Sequence, residues 1–240
     1  MFNVKNLFKY SHRSGSSWLV PALVWVGLVT TSLVWSIKVV QTTQNILAID
    51  RAKTYFDFVV LTRQWNAEHG GVYIEISDRL KPNPYLELLD RDVTATYDVV
   101  NNETDTKLSK AKKLTKVNPA FMTRQLSDLA IKNEGVLFHI TSLKPIRPKN
   151  EADDWEKQAL ATFIGENDEY VSEHMLQNDE NIFRYMAPLL VNQNCLQCHA
   201  KQGYKLGDVR GGISVTFSID EIFASKHREI LNISISHFIA

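Results

Sequence analysis

The stretch Cys195-Leu196-Gln197-Cys198-His199 sets two thiols three positions apart, with an imidazole directly behind the second. That spacing is the pattern of c-type haem attachment. Haem carries vinyl groups on adjacent pyrroles, and two thiols on one tight helical turn reach both. The residue that follows then points its ring at the iron, which accepts a His nitrogen as proximal ligand. The motif predicts one covalent haem c, joined by thioethers to Cys195 and Cys198, with His199 as the proximal iron ligand. Three other chemistries compete for these residues. A closed structural zinc site wants four ligands, and a chain with 2 cysteines has no second pair to offer. A thioredoxin-like dithiol belongs beside a strand–helix–strand pattern, which is missing here. A chance pair of buried thiols is the plainest alternative, but lone thiols outside the cytoplasm tend to oxidise.

Cytochrome attachment takes place outside the membrane, so the motif asks for an exported domain. Trp18 to Ile37 is an uncharged, mostly apolar run of about twenty residues, enough to span a bilayer as a helix. Trp18 and Trp35 sit near its ends, where indoles favour the headgroup region, and Lys5, Lys9 and Arg13 precede it. This charge bias predicts a cytoplasmic N-terminus in the cytoplasmic membrane, with the haem domain periplasmic or extracytoplasmic. A cleaved signal peptide would show a shorter apolar run and a small-residue cleavage site, and Lys38-Val39-Val40-Gln41 is not one.

The rest of the 240 residues holds one domain with accessory helices. Lys plus Arg and Asp plus Glu both total 27, a balance that argues against nucleic-acid binding. Beyond the anchor, Ile46, Ile49, Ala52, Phe56, Val59 and Arg63 fall on one stripe at three- to four-residue spacing, so the membrane helix is expected to continue outward to Gly70-Gly71. Val72–Ile76 alternates like a strand, and the lysine-rich stretch Asp98–Lys116 reads as a solvated hairpin or loop. Asn118-Pro119 starts a helix that stops before Gly135, and Asp153 or Asp154 starts another that closes at Gly165. Strands are expected at Val136–Leu143, Ile182–Leu189 and Gly212–Ile219, a short helix around Glu169–Leu176, and a last helix from Asp220. Strands among helices without a phosphate-binding glycine loop predict an α+β fold, with an antiparallel sheet and flanking helices. The predicted divisions are 1–17 cytoplasmic, 18–37 transmembrane, 38–70 linker helix, 71–220 haem domain and 221–240 outgoing helix.

The iron's second face has several candidates. Of 7 histidines, His12 lies on the far side of the membrane, and His227 and His237 lie beyond the predicted domain. His69 and His139 lead, ahead of His174 and the thioethers of Met122, Met175 and Met186; an open or water-filled face is the other option. His69 closes the long helix, the largest element available to cover the distal side. His139 lies on a strand face with Leu137 and Thr141. Lys144, Arg147, Lys149 and Arg210 are candidates to pair with haem propionates, against the ordinary reading of solvated charge.

Arg63–Tyr73 (RQWNAEHGGVY), Asn118–Arg124 (NPAFMTR), Ile140–Pro148 (ITSLKPIRP), Asp154-Trp155-Glu156, and the Cys195–His199 motif followed by Gln202–Gly212 (QGYKLGDVRGG) occur in that order. Together they resemble a family of single-haem, PAS-like sensor domains, long catalogued as a domain of unknown function. Such domains are found outside the membrane in bacterial histidine kinases, diguanylate cyclases and chemotaxis receptors. The resemblance spans roughly residues 40–220. It implies a PAS-like antiparallel sheet, covalent haem c, and redox or gas sensing. In part of that family a cysteine fills the distal position; here both cysteines belong to the attachment pair. No transmitter or cyclase domain follows within these residues, and Ile230–Ala240 reads as the first half of a second membrane helix or as an amphipathic helix docked on its own domain.

The expected function is a membrane-anchored input module that senses redox state or a gas. The alternative is a tethered monohaem electron-transfer cytochrome, and a third possibility is an interaction domain whose Cys pair holds zinc or nothing. No nucleophile–base set or phosphate loop indicates an enzyme; kinase or cyclase activity would belong to a further domain. The apolar stripe of the linker helix predicts a homodimer through parallel helix pairing, in competition with packing on the domain's own sheet.

Overall fold

The computed structural model describes residues 18–87, 91–101, 106–165, 170–177, 179–199 and 202–239. Lys5, Lys9, His12, Arg13 and Glu169 lie outside the described residues, as does the side chain of Cys198.

Helix α1, Leu19–Glu68, is one uninterrupted helix of 50 residues. Pro21 sits in its first turn, where a missing N–H costs nothing. At 1.5 Å per residue α1 is about 75 Å long, and a bilayer core of about 30 Å accounts for less than half of it. Its first half is apolar and outward-facing: Val20, Leu23, Val24 and Trp25 are all exposed, as is Trp18 just before it, where a soluble core helix would bury them. This half is compatible with membrane anchoring. Its second half buries Ala48, Ala52, Phe56 and Val59, while Ile46 at the start of the expected stripe is exposed. Gly71 N–H donates to Asn66 O (2.9 Å) and Gly70 N–H to Ala67 O (3.0 Å), a Schellman-type ending. Positive φ at both residues, 69° and 98°, is what makes glycine the natural choice there.

The central layer is a four-stranded antiparallel sheet of β4 (Leu137–Thr141), β5 (Val171–Gln177), β6 (Glu180–Leu190) and β7 (Val209–Ser218), in the order β4-β7-β6-β5. Strand alternation sorts its side chains onto two faces. Phe138, Phe183, Tyr185 and Phe217 face α1: Tyr55 meets Phe138 and Phe217 edge-on at 6.1 and 6.3 Å, and Phe56 meets Tyr185 at 6.0 Å. His139, Arg184, Met186 and Ser214 face α3 (Asp154–Gly165), whose Ala159, Leu160 and Phe163 pack on Met186. The sheet is therefore covered on both faces.

A second, three-stranded antiparallel sheet has the order β1-β3-β2, with β1 Val72–Glu75, β2 Asp92–Asn101 and β3 Thr106–Val117. The lysine-rich stretch is thus a long hairpin, in register from Asp92↔Thr115 to Asn101↔Thr106. The strands form two sheets where the sequence suggested one. Helix α2, Pro119–Glu134, starts as expected: Asn118 Oδ1 accepts Phe121 N–H at 2.9 Å. The short helix expected around Glu169–Leu176 is instead edge strand β5, paired from Val171↔Met186 to Gln177↔Glu180. Ladder pairing with β6, and the stacking of Tyr170 on Tyr185 at 5.2 Å, override the helix propensity of its Glu, Met and Leu.

The chain divides into two compact units, one comprising residues up to Leu47 with those from Asp220 onward, the other Ala48–Ile219. Both sheets lie in the second. In the first, α5 (Asp220–Ile239) sets His237 Nε2 3.0 Å from the Ser32 hydroxyl of the apolar span.

Candidate functional site

The Cys-x-x-Cys-His motif lies in an excursion between two neighbouring strands. β6 ends at Leu190 and β7 begins at Val209, directly opposite it in register. The excursion is tied at its base: Val191 N–H donates to Asp208 O and Gly207 N–H to Val191 O, both at 2.9 Å. Within it, Gln193–His199 forms helix α4. Asn192 caps the helix, its Oδ1 accepting the Cys195 N–H at 3.1 Å and lying 3.1 Å from the Cys195 sulfur. Helical geometry brings positions 195 and 198 onto one side, the arrangement the two-vinyl chemistry needs, and Cys195 is half-buried.

His199 closes α4, with Nδ1 2.7 Å from Gln202 Oε1. An amide oxygen only accepts, so Nδ1 carries the proton and the lone pair resides on Nε2. Burial pushes the His199 pKa down; the Gln202 contact opposes this, and the charges of Arg210 and Arg63 reinforce it. The ring is thus held neutral, the form that binds a metal.

Arg63 comes from α1 and lies on its apolar stripe. Its Nη1 donates to Thr123 Oγ1 (3.0 Å) and Pro119 O (3.2 Å), joining α1 to the start of α2. Burial pushes its pKa down to about 10, with the nearby Cys195 acting in the opposite sense. Arg210, on β7, donates from Nη1 to Ser142 Oγ at 2.6 Å and lies 4.9 Å over the Tyr204 ring. Its Nε is buried with no hydrogen-bond partner among the described residues. Among the described residues neither arginine has a carboxylate partner. Two partly buried guanidinium groups whose charges reach the His199 ring, one with an orphaned N–H among the described residues, suit a ligand that brings its own carboxylates. A haem with two propionates fits that donor set. Of the basic residues marked in the sequence, Arg210 is the one whose charge acts on His199; Arg147 instead binds Asn150 Oδ1 at 3.0 Å. Arg63 was missed, although a charged residue on an otherwise apolar stripe is a visible signal.

The two distal candidates differ sharply. His139 has both ring nitrogens committed: Nδ1 lies 2.8 and 3.1 Å from the Glu156 carboxylate oxygens, and Nε2 3.0 Å from Lys149 O. Both partners are acceptors, so the geometry favours an imidazolium, and the Glu156 hydrogen bond raises the His139 pKa despite burial. In this arrangement His139 has no lone pair for iron. Glu156 also accepts from Ser214 Oγ (2.6 Å) and Asp153 N–H (3.0 Å), while Asp153 Oδ1 accepts the Glu156 N–H (2.8 Å). That reciprocal pair is a capping box at the start of α3. His69, at the end of α1, is exposed, with Nδ1 2.8 Å from Trp65 O and its ring 4.5 Å from the Trp65 ring. Its Nε2 makes no hydrogen bond among the described residues. Met186 is fully buried in the α3 core, away from ligand duty.

An imidazole with its lone pair on Nε2, two Cys positions on one short helix and two arginines without a carboxylate partner among the described residues thus stand on an α+β domain. That domain belongs to the Tll0287-like family, whose model matches residues 48–218. Among solved structures, the crystal structure of the cyanobacterial haem protein Tll0287 is 21% identical, covering 43% of this chain and 73% of that one, with a TM-score of 0.35. No curated protein matches the chain.

Proposed function

We propose that this chain is a membrane-anchored, extracytoplasmic haem protein of c type, built on a PAS-like plan, that serves as the input module of a redox or gas sensor. The observation that carries the haem reading is the His199 geometry: an imidazole fixed with Nε2 as its lone-pair nitrogen, at the end of a capped helix holding the two Cys positions, under the charge of two arginines that have no carboxylate partner among the described residues. Family membership supports it, since the family's namesake structure is described as a haem protein. The bound group would supply one-electron chemistry or a gas-binding iron. Cys195 and Cys198 would hold it through thioethers, His199 would ligate its iron through Nε2, and Arg63 and Arg210 would neutralise its carboxylates. His69 would be the second protein ligand to the iron, because His139 is already held by Glu156 and Lys149.

The sensing reading rests on continuity. Arg210, whose charge reaches His199, lies on β7, and β7 runs through Ser218 into α5 at Asp220. A change at the iron that favoured one setting of Arg210 would bias that strand and the helix beyond it. α5 returns to the membrane in this proposal, in keeping with the Ser32–His237 contact. Hydrogen exchange of the detergent-solubilised, haem-loaded chain tests it. Reduction or carbon monoxide binding is expected to change protection over Asp220–Ile239; a difference confined to the Cys195–Asp208 excursion would favour simple electron transfer instead.

A further inference from the structure

We propose that Gln202 is a positioning residue for the iron: its side-chain oxygen selects the binding nitrogen of His199 and sets how strongly that nitrogen donates. The proposal rests on the haem reading above and concerns a residue outside the attachment motif.

The contact is short, 2.7 Å from His199 Nδ1 to Gln202 Oε1. The Gln202 side chain is exposed, but the backbone that follows it is tied down. After α4 the backbone turns back at Gly203, whose φ of 86° only glycine adopts readily. The far end of the loop is fastened by Lys205 N–H to Asp208 Oδ2 (2.7 Å) and Asp208 N–H to Lys205 O (3.2 Å). The Val191–Asp208 and Gly207–Val191 bonds, both 2.9 Å, then anchor it to the end of β6. These ties hold position 202 within reach of the ring.

An acceptor on the outer nitrogen of a metal-bound His fixes ring orientation and raises ligand basicity. The strength of the acceptor sets the degree. A neutral amide oxygen draws modestly on the Nδ1 proton. A carboxylate at the same place would draw harder, give the ring imidazolate character and stabilise ferric iron. No acceptor at all would leave the ring a poorer donor and favour ferrous iron. The choice of Gln therefore places the midpoint potential between two accessible extremes.

Potentiometric titration of the full chain, loaded with haem by cytochrome-maturation machinery, tests this alongside the ferrous iron–histidine stretching frequency, read in a His69→Ala background where the ferrous iron is five-coordinate. Gln202→Ala is expected to shift the ferric/ferrous equilibrium about tenfold toward ferrous, equivalent to about +59 mV for a one-electron couple. It should also lower the iron–histidine frequency. Gln202→Glu is expected to move both readouts the other way. Should Gln202→Ala fail to load haem, the sign of the Gln202→Glu shift decides. Potentials within twofold of wild type, or shifts of the same sign in both variants, overturn the proposal and leave the haem reading standing. A wild-type chain that acquires no covalent haem removes both.

Discussion

Replacing Glu156 by Gln removes one negative charge from a nearly sealed site, and the structure shows what depends on that charge. The Glu156 side chain is 1% exposed, and it faces His139, Ser214, the Asp153 N–H and, at 3.6 Å, the Arg184 guanidinium. Arg184 is itself held by Asp153 at 2.7 Å and lies 4.3 Å over the Trp155 ring. The variant keeps the volume and an acceptor oxygen but leaves the His139 imidazolium without its counter-ion. Breaking a buried pair in this way costs about 3–5 kcal/mol. His139 is 30% exposed, so water takes up part of the loss and about 3 kcal/mol is the better figure. The pH dependence is the sharper test. The His139 pKa is raised above 6.5 by the Glu156 hydrogen bond, so its contribution is complete below about pH 6.5 and fades as pH rises through the folded value. Burial tends to raise the Glu156 pKa, but the hydrogen bonds from His139 and Ser214 outweigh it and the net shift is below 4.5. Its contribution is therefore complete above about pH 4.5 and fades as pH falls through the folded value. The pair stabilises most between those limits. Denaturant unfolding of the detergent-solubilised chain, followed by tryptophan fluorescence from pH 4 to 8, should show wild type more stable than Glu156→Gln by about 3 kcal/mol near pH 5.5, with the gap narrowing toward both ends. A difference under about 1 kcal/mol, or one that does not vary with pH, would refute the reasoning.

Gly211 meets the Thr141 carbonyl so closely that any Cβ would push β4 away from β7; Gly211→Ala is expected to cost about 1–3 kcal/mol in the same unfolding assay. His69→Ala should convert a low-spin haem spectrum to high spin and open the iron to carbon monoxide, whereas His139→Ala should leave the spectrum low-spin and lower stability only. Phe58, Leu61 and Trp65 are 61%, 61% and 53% exposed and recur at helical spacing on α1; pairing with a second copy would cover them. Light scattering in detergent is then expected to give a dimer mass, and Leu61→Glu a monomer; a wild-type monomer at micromolar concentration would reject the pairing.

Elements with strong local signals were legible in the sequence. The uninterrupted pattern ending at Gly70-Gly71 matches α1, and Asn118-Pro119 marks the start of α2, because capping and glycine conformations act within a few residues. Strand β5 was misread because its helix-forming residues become a strand only by pairing with β6, information that lies outside the segment. The split into two sheets is a matter of long-range pairing too. At the site, the spacing of Cys195, Cys198 and His199 is local and readable, and the structure sets them on one short helix. Arg63 comes to Cys195 and His199 from far along the chain, and the Glu156 that holds His139 comes from a different element, so neither relation has a spacing to read. Gln202 lies close in sequence, but its contact with His199 depends on the fastened loop.

Every functional proposal for this chain depends on covalent haem at the Cys195–Cys198 pair. Intact-protein mass spectrometry after expression in cells with cytochrome-maturation machinery measures it directly, with the reduced pyridine haemochrome spectrum as companion. A mass gain of one haem that survives denaturation is expected, with its loss in a chain carrying both Cys195→Ser and Cys198→Ser. A colourless wild-type protein at its unmodified mass, or a covalent haem retained when both cysteines are serine, would contradict it.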